Sequence, residues 1–524
     1  MIETLAELSR FTVRDLILAR AAHAGERLAL SARSIHGDCR RYGYRELARL
    51  MDAMAGSLWR VGVRPGEGVA LFLANDAGRE FMLTSLGALA LGAVVVPLNT
   101  RAADPELAAA LELTSPSLLV VDAAASRRLA ALAADMPRMT VGESTSLDGA
   151  VAWPDPERDA TSAQDIAWAS SPDQLGCLLF TSGTTARSKA VMSSHRTMIA
   201  AGLCCGQALG LREDDVYQAG FPLFTSSVLN IAAMSCWVAG AGLVLEGVVG
   251  NEERLDLVSQ EGTTYYHGVP SVLNFMEQAF DPERHSLDRV RRIASGGAPM
   301  PPEVSRRMAA RWPRAEQVQI YGLTESGPSG SVLGPQEMAA HQGSVGRAMP
   351  HCRLEIVGDD GRLLGPGEVG EIAISGPAVA VGYFGDEAAT ARAFSGRRVL
   401  TGDVGSLDAD GFLYFGDRKK DVINRGGLKI ASVAVERVLF QHESVREAAV
   451  VAASHPDLGE DVAAFVVLKD GYAPDIAALR AHCAGELADY AVPRKWRFVD
   501  ALPKNPMGKV LKNELRQMAD APAQ

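Results

Sequence analysis

The sequence lacks an excess of positive charge. Its 524 residues include 52 lysines and arginines against 63 aspartates and glutamates, and the formal net charge is −11. Nucleic acids and anionic membrane surfaces attract proteins that carry a basic patch. We therefore expect no nucleic-acid partner, and the charge balance favours a protein that acts on small molecules.

Long apolar runs are also missing. The two most apolar stretches, residues 82–98 and 231–245, contain glycine and small polar residues. Both are shorter than the ~20 residues that a membrane-spanning helix needs, so we predict no membrane span. Residues 1–15 contain no basic segment followed by an apolar one. That absence argues against a signal or transit peptide and predicts a cytoplasmic location.

Cysteine is scarce as well. The seven cysteines are scattered along the chain and show neither a CxxC motif nor the Cys/His spacing of a metal site. We therefore expect reduced thiols without a structural metal.

The length of the chain predicts more than one domain, because a single hydrophobic core rarely grows beyond ~250–300 residues. Between residues 42 and 245, segments with helical periodicity such as 44–61 alternate with short apolar runs such as 68–73 and 94–98. This alternation is typical of layered α/β structure with buried strands.

The pattern changes at about residue 352. Short alternating segments surround Asp360-Gly361 and Asp410-Gly411, which are dipeptides that favour hairpin turns. We predict an α/β protein whose large N-terminal domain, residues 1–417, combines layered α/β subdomains with a β-rich module at about 352–417. A small α+β C-terminal domain is expected at 418–524, after a dense polar stretch at 416–421.

A loop rich in hydroxyl groups follows the buried strand predicted at 176–180. Residues 181–190 contain five hydroxyl side chains, one glycine and Lys189. Such a loop can direct N–H groups, hydroxyls and a cation at phosphate oxygens. It is not a Walker loop, because Ser188 and Ala190 stand where that motif requires Gly and Ser or Thr. From these residues alone, an exposed polar loop remains an alternative interpretation.

Five further segments follow this loop, and together the six resemble, in the correct order, the motifs of the adenylate-forming superfamily. That superfamily contains acyl- and aryl-CoA synthetases, luciferases and peptide-synthetase adenylation domains, and the resemblance extends from about residue 28 to 516. The five segments are Ser295-Gly296-Gly297-Ala298-Pro299, residues 319–326 (QIYGLTES), Thr401-Gly402-Asp403, residues 416–421 (GDRKKD) and residues 503–509 (PKNPMGK).

The resemblance implies a two-step ligase. A carboxylate attacks the α-phosphorus of ATP to form an acyl-adenylate, and the thiol of coenzyme A then accepts the acyl group. Two anions meet in the first step, so cations and hydrogen-bond donors are the main requirement. The implied catalytic residues are Lys509, Thr324, Glu325 and His195, with Glu325 and Thr184 as ligands of Mg²⁺. For His195, an ordinary structural role is the alternative.

The resemblance also assigns binding residues. In the nucleotide site, Tyr321 would stack on adenine and Asp403 would accept hydrogen bonds from the ribose hydroxyls, with Arg418 beside it. The full set for ATP or AMP is Thr181, Ser182, Gly183, Thr184, Thr185, Lys189, Gly297, Ala298, Pro299, Tyr321, Gly322, Asp403 and Arg418.

The acyl-binding positions are mostly small, which favours a roomy pocket and a bulky or long apolar carboxylate. They are Phe224, Thr225, Ser227, His267, Gly268 and Gly296. By resemblance, the C-terminal domain is mobile and rotates about a hinge at Lys420. This rotation would replace Lys509 at the site by the coenzyme A-binding residues Gly426, Gly427 and Lys429.

The chain also departs from the family pattern. Ala186, Ser188 and Ala190 replace the Gly, Pro and Gly that are usual in the phosphate loop. The altered loop supports two alternatives, a thioester-forming enzyme that accepts a preformed acyl-adenylate and a non-catalytic nucleotide sensor. Acyl transfer to a carrier protein instead of coenzyme A is a third alternative. The predicted partners are a small carboxylic acid, ATP and coenzyme A, with a homodimer as a possible assembly.

Overall fold

A computed structural model describes residues 5–8, 10–133, 135–142, 150–158, 166, 168–181, 188–298, 300–504 and 510–521. The chain forms two compact units. The larger unit comprises Met1–Leu354 and Ile374–Val399, and the smaller comprises Glu355–Ala373 and Leu400–Gln524. The predicted mixed α/β class, with a large N-terminal and a small C-terminal domain, is confirmed. The precise domain boundary at 417/418 stays a prediction.

The described strands, in chain order, are β1 Leu28–Arg33, β2 Cys39–Gly43, β3 Gly68–Phe72, β4 Val94–Pro97, β5 Leu118–Asp122, β6 Arg138–Val141, β7 Val151–Ala152, β8 Leu175–Phe180, β9 Ala190–Ser194, β10 Val216–Ala219, β11 Gly242–Leu245, β12 Tyr265–Gly268, β13 Arg292–Ser295, β14 Glu316–Tyr321, β15 Ser331–Leu333, β16 Arg347–Ala348, β17 Arg353–Val357, β18 Gly370–Ser375, β19 Gly382–Tyr383, β20 Phe394–Ser395, β21 Arg398–Leu407, β22 Leu413–Arg418, β23 Ile423–Arg425, β24 Leu428–Ile430, β25 Val445–His455, β26 Gly459–Leu468 and β27 Lys495–Phe498.

The described α-helices are α1 Leu5–Leu8, α2 Val13–Ala24, α3 Tyr44–Arg60, α4 Gly78–Leu91, α5 Asp104–Thr114, α6 Ser126–Leu132, α7 His195–Leu209, α8 Met234–Ala239, α9 Asn251–Glu261, α10 Pro270–Gln278, α11 Pro302–Arg311, α12 Glu387–Ala393, α13 Ser432–Gln441, α14 Ile476–Glu486 and α15 Lys512–Asp520. Short 3₁₀ or π turns lie at Asn75–Ala77, Ser227–Ala233, Thr324–Ser326 and Asp489–Ala491.

Two largely parallel sheets form the larger unit. One has the strand order β19-β9-β8-β4-β3-β5-β6-β7, and the other has the order β16-β15-β14-β13-β12-β10-β11-β1-β2. Helix α4 is buried along its whole length, as its apolar composition requires. It crosses α3 closely, because a Cβ on Gly87 would lie 2.6 Å from the side chain of Met54. A continuous apolar core therefore joins the strands and helices of this unit.

Neighbouring strands of the second sheet end at the same edge. β10, β12, β13 and β14 run parallel, so their carboxyl ends lie side by side. In open α/β sheets, ligands bind outside the carboxyl ends of the strands. The predicted acyl-binding residues Phe224 and Gly268 follow β10 and end β12, respectively. Residues 295–299, which resemble the family's adenine-binding turn, begin at the end of β13, and Tyr321 ends β14. All of these residues therefore lie at that edge.

A third sheet has the order β17-β18-β21-β20, with β22 paired to β21, and the bounds of the two units fall within β17, β18 and β21. The fourth sheet lies in the smaller unit, with the order β24-β23-β26-β25 and β27 paired to β26. Helices α13 and α14 share one apolar cluster with this sheet, and α15 shares another. The smaller unit therefore has its own core.

No described helix combines the length and the apolar character that crossing a membrane requires. All seven cysteines are free thiols, as the sequence predicts.

Candidate active site

The turn that follows β14 is held by close backbone packing. A Cβ on Gly322 would lie 2.4 Å from the carbonyl oxygen of Pro328, so only glycine fits there. Thr324–Ser326 form a single 3₁₀ turn, which ends at Gly327 with φ +64°. The Ser326 hydroxyl donates to the Leu323 carbonyl at 3.0 Å. These contacts fix the direction in which Thr324 and Glu325 leave the strand.

Two further contacts hold this turn. The backbone carbonyl of Glu325 accepts the Ala380 N–H at 2.9 Å. The hydroxyls of Thr324 and Ser226 are 3.1 Å apart. This contact connects the turn to the segment that carries the predicted acyl-binding residues Thr225 and Ser227. The structure thus brings together two motifs that lie 98 residues apart in the chain.

The Glu325 carboxylate is bound by a tyrosine that the sequence analysis missed. The Tyr383 hydroxyl donates to Glu325 Oε1 at 2.9 Å. Burial and the Glu325 charge raise the pKa of Tyr383 far above its ordinary value of 10, which keeps the hydroxyl protonated. Lys189 Nζ lies over the Tyr383 ring, 4.4 Å from its centroid. Lys189, Tyr383 and Glu325 therefore form one group.

The ends of the predicted phosphate loop are closely paired. The Thr181 N–H donates to the Lys189 carbonyl at 3.0 Å, which closes the hairpin between β8 and β9. The Ser188 hydroxyl donates to Glu106 at 3.1 Å. The predicted phosphate ligands Ser182, Gly183, Thr184 and Thr185, and the altered position Ala186, lie outside the described residues.

Glycine is also required in the predicted adenine turn. Gly296 and Gly297 follow β13 directly, and Gly297 has φ +79°. A Cβ on Gly296 would lie 2.9 Å from the Ile320 side chain. The backbone at Gly296 therefore lies close to the end of β14, beside Tyr321. Ala298 completes the described part of the turn, and Pro299 lies outside the described residues.

Aromatic rings surround His267 in the predicted acyl region. The ring meets Phe221 edge-on, with centroids 4.8 Å apart, and its Nδ1 is hydrogen-bonded to the Tyr217 hydroxyl. Tyr217 in turn stacks on Tyr265 at 5.1 Å. Burial lowers the pKa of His267 to about 3, so the ring is neutral at physiological pH.

The other predicted acyl residues lie on nearby segments. Thr225 donates its hydroxyl to the Pro222 carbonyl at 2.8 Å, within the loop that also carries Phe224. Ser227 begins a π-helical turn, Ser227–Ala233, a geometry that is frequent at functional sites. Gly268 ends β12, where a Cβ would lie 3.2 Å from the Tyr266 ring.

His195 is buried where α7 begins. Its side chain is fully buried, and Nδ1 accepts the N–H of Val13 at 3.1 Å, at the first turn of α2. Burial lowers its pKa from 6.5 to about 4. This placement favours the structural alternative for His195 over the catalytic role that the resemblance implies.

The depressed pKa of His195 predicts a loss of stability in acid. The unfolded chain takes up a proton near pH 6.5, whereas the folded protein does so only near pH 4, so the free energy of unfolding falls as the pH falls between these values. Between pH 7 and 5 the contribution of this group is about 2 kcal/mol. His195→Asn retains an acceptor for Val13 and does not titrate. Urea unfolding at pH 7 and pH 5 measures the free energy of unfolding, which should change less with pH in the variant than in the wild type. An equal change with pH in both proteins would contradict a buried neutral ring.

Within the smaller unit, Asp403 and Arg418 face each other across β21 and β22. They are register partners, and Arg418 Nε lies 3.4 Å from Asp403 Oδ1. The Asp403 carboxylate is 8% exposed. Partial burial lowers the pKa of the nearby Lys420, the predicted hinge residue.

The predicted coenzyme A residues form a tight hairpin. Gly426 and Gly427 connect β23 to β24 with φ +58° and +93°, a two-residue turn that requires positive φ at both positions. Lys429 on β24 is 3.3 Å from Asp359. Lys509 lies outside the described residues.

Comparisons with known proteins agree along nearly the whole chain. Residues 18–384 match the family described as AMP-binding enzyme, and residues 434–509 match the AMP-binding enzyme C-terminal domain. A long-chain-fatty-acid–CoA ligase of Mycobacterium tuberculosis is 32% identical over 92% of this chain and 94% of its own. A 2-succinylbenzoate–CoA ligase of Geobacillus kaustophilus is 33% identical over 97% and 98%.

A solved structure leads to the same family. ATP-bound MatB from Rhodopseudomonas palustris superposes with a TM-score of 0.85 at 27% identity, covering 97% of this chain and 99% of that protein. The chain therefore belongs to the AMP-binding enzyme family, whose relatives named here are acid–thiol ligases.

Proposed function

We propose that this enzyme activates a bulky or long apolar carboxylic acid with ATP and transfers the acyl group to coenzyme A. The observation that carries the proposal is the group formed by Lys189, Tyr383 and Glu325. It places a cation and an oriented carboxylate beside the loop that resembles the family's phosphate loop. A polyphosphate needs both, since a cation neutralises its oxygens and a carboxylate retains its metal ion.

The residues present suit Mg²⁺. Among the described residues, no three His, Cys, Asp or Glu side chains cluster as metal ligands. Mg²⁺ is commonly held by one or two carboxylates, substrate phosphates and water, and Glu325 with the Thr324 hydroxyl offers oxygen donors of this kind. Thr184 is the further ligand that the resemblance implies. When bound, Mg²⁺ would neutralise charge that develops on the phosphates.

In the first step, a carboxylate oxygen of the acid bonds to the α-phosphorus. The bond from that phosphorus to the bridging oxygen breaks, and pyrophosphate leaves with the electron pair. Lys509 would offset the charge of the two anions, and Asp403 would hold the ribose. In the second step, the thiolate of coenzyme A attacks the acyl carbon and AMP leaves. Gly426, Gly427 and Lys429 would then lie along coenzyme A, after rotation about Lys420.

The acyl region supports an apolar monocarboxylic acid. The relatives named above differ here, because one acts on long-chain fatty acids and the other on 2-succinylbenzoate, which carries two carboxylates. The neutral His267 supplies no positive charge for a second carboxylate, and its surroundings are aromatic. We therefore rank long-chain and bulky aryl monoacids above 2-succinylbenzoate. A homodimer and a cytoplasmic location stay predictions.

The test is carboxylate-dependent exchange between ATP and labelled pyrophosphate over a panel of aliphatic, aryl and alicyclic acids, followed by detection of the acyl-CoA. We expect exchange with apolar monoacids to exceed that with 2-succinylbenzoate by at least about 10-fold, since an unpaired carboxylate in an apolar site costs more than the about 1.4 kcal/mol that a factor of 10 represents. If no acid of the panel supports exchange, in protein that converts synthetic acyl-adenylate and coenzyme A to the thioester, the enzyme catalyses only the thioester-forming step. Transfer to a phosphopantetheinyl carrier protein but not to coenzyme A would indicate the carrier alternative.

A further inference from the structure

Tyr383 is held rigidly in the larger unit. It lies on β19, where it is the register partner of Val191 on β9, two residues after Lys189. Its N–H donates to the Thr390 hydroxyl at 2.9 Å, and its ring meets Phe394 edge-on at 5.2 Å. The residue is 8% exposed. The ring therefore has little freedom to turn away from its neighbours.

The segment that ends in Tyr383 binds Glu325 twice. Ala380 binds the backbone carbonyl of Glu325, and the Tyr383 hydroxyl binds the carboxylate, each at 2.9 Å. A glutamate that is held through both its backbone carbonyl and its carboxylate keeps that carboxylate in one orientation. Hydrogen bonds to charged groups are also stronger than those between neutral groups, so the phenol contributes appreciably to that orientation.

The ring face of the same tyrosine contacts the cation. Lys189 Nζ lies over the ring face, and Lys189 forms no ion pair with a carboxylate in the part of the chain that the structure describes. A direct ion pair between Lys189 and Glu325 would satisfy each charge with the other. A cation over an aromatic ring is held more weakly, so it can move to a phosphate at low cost.

We propose that Tyr383 is a positioning residue with two functions. Its hydroxyl orients the Glu325 carboxylate for Mg²⁺, and its ring holds the Lys189 ammonium in place for the phosphates without an ion pair to that carboxylate. This inference rests on the proposed function, in which Glu325 holds Mg²⁺ and Lys189 binds phosphate. It assigns a role to a residue outside the resembling motifs.

Two variants separate the two functions. Tyr383→Phe keeps the ring and removes the hydroxyl, whereas Tyr383→Leu removes both. Phe394→Leu is the matched control, because it alters the packing of the same ring without touching Glu325 or Lys189. Thermal unfolding establishes that each variant is folded. Calorimetric binding of ATP over a range of Mg²⁺ concentrations, without acid, supplies a readout that does not depend on turnover.

For Tyr383→Phe, we expect the Mg²⁺ concentration at half-maximal ATP binding to rise about 10-fold, the scale of one lost hydrogen bond to a charged group. ATP affinity at saturating Mg²⁺ should change less than 3-fold. For Tyr383→Leu, we expect the same rise together with a loss of ATP affinity of about 10-fold. Lys189→Met should then weaken ATP binding less in the Leu variant than in the wild type. AMP affinity, which involves neither the β- nor the γ-phosphate, should stay within 2-fold in all variants.

Other results would overturn the inference. A Mg²⁺ requirement in Tyr383→Phe within 2-fold of the wild type would show that the hydroxyl does not orient Glu325. Equal effects of Tyr383→Leu and Phe394→Leu would show a packing role only. If the wild type binds MgATP but exchanges no pyrophosphate, the proposed function fails while the calorimetric comparison still decides the role of Tyr383. If the wild type binds no ATP, both proposals fail.

Discussion

Lys509→Ala is expected to lower carboxylate-dependent ATP–pyrophosphate exchange by about 100-fold or more, the scale seen when one preorganised donor to a developing charge is removed. A carboxylate and an α-phosphate repel each other, and a lysine is a compact, mobile charge that can offset both. The thioester step from synthetic acyl-adenylate should fall much less, because a different face of the C-terminal domain serves it in our proposal. Comparing the two half-reactions in one variant therefore measures the role of Lys509 in the first step.

The matched control for this variant is Lys504→Ala. Lys504 lies in the same motif, and its ammonium pairs with Glu447 at 2.5 Å on the smaller unit. Partly exposed ion pairs contribute at most about 1 kcal/mol, so exchange by this variant should stay within a few-fold of wild type. Full exchange activity in Lys509→Ala, or an equal loss in the control, would contradict the assignment.

Glu325→Gln should reduce pyrophosphate exchange by about 10- to 100-fold and raise the Mg²⁺ concentration that exchange requires. Glutamine has nearly the shape of glutamate, and its amide oxygen can still accept the Tyr383 hydroxyl, so the substitution mainly removes a charge. A neutral amide is a poorer ligand for a hard cation than a carboxylate. Titration of exchange against Mg²⁺ at fixed ATP measures the effect.

Glu337→Gln controls for the loss of one negative charge on the larger unit. Glu337 is paired with Arg347 near the protein surface. Because such a pair contributes at most about 1 kcal/mol to stability, we expect its loss to leave the Mg²⁺ requirement of exchange unchanged. An unaltered Mg²⁺ requirement in Glu325→Gln would mean that Glu325 does not hold the metal ion. Tyr383 could then not act by orienting this carboxylate for Mg²⁺.

Local patterns predicted much of the architecture. The periodicity of residues 44–61 predicted the helix observed as α3, and the apolar run 68–73 predicted β3. The stretch 136–173 carries no clear sequence signal for strands, because it is rich in Ser, Asp and Pro. The structure contains β6 and β7 there. Both strands are short: β6 lies between β5 and β7, and β7 forms the edge of the sheet. Strands of two to four residues show little periodicity in the sequence.

Glycines required by the backbone of the candidate site lie within segments that the sequence analysis had singled out. Gly322 and Gly427 lie where a side chain would meet a backbone carbonyl or where φ is positive, so the need for glycine is local. The contact that His195 makes was not predictable in this way. Its partner is the Val13 N–H, 182 residues away, and a single sequence carries no signal for that contact.

The fold class, the order of the motifs and the family were predictable from one chain, because hydrophobic periodicity, turn glycines and short motifs are local properties. Which side chains contact each other depends instead on the folded arrangement of the strands. Tyr383 lies 58 residues from Glu325, and it reaches the carboxylate only because β19 pairs with β9 beside Lys189. Contacts of this kind depend on strand order and register, which long-range packing sets.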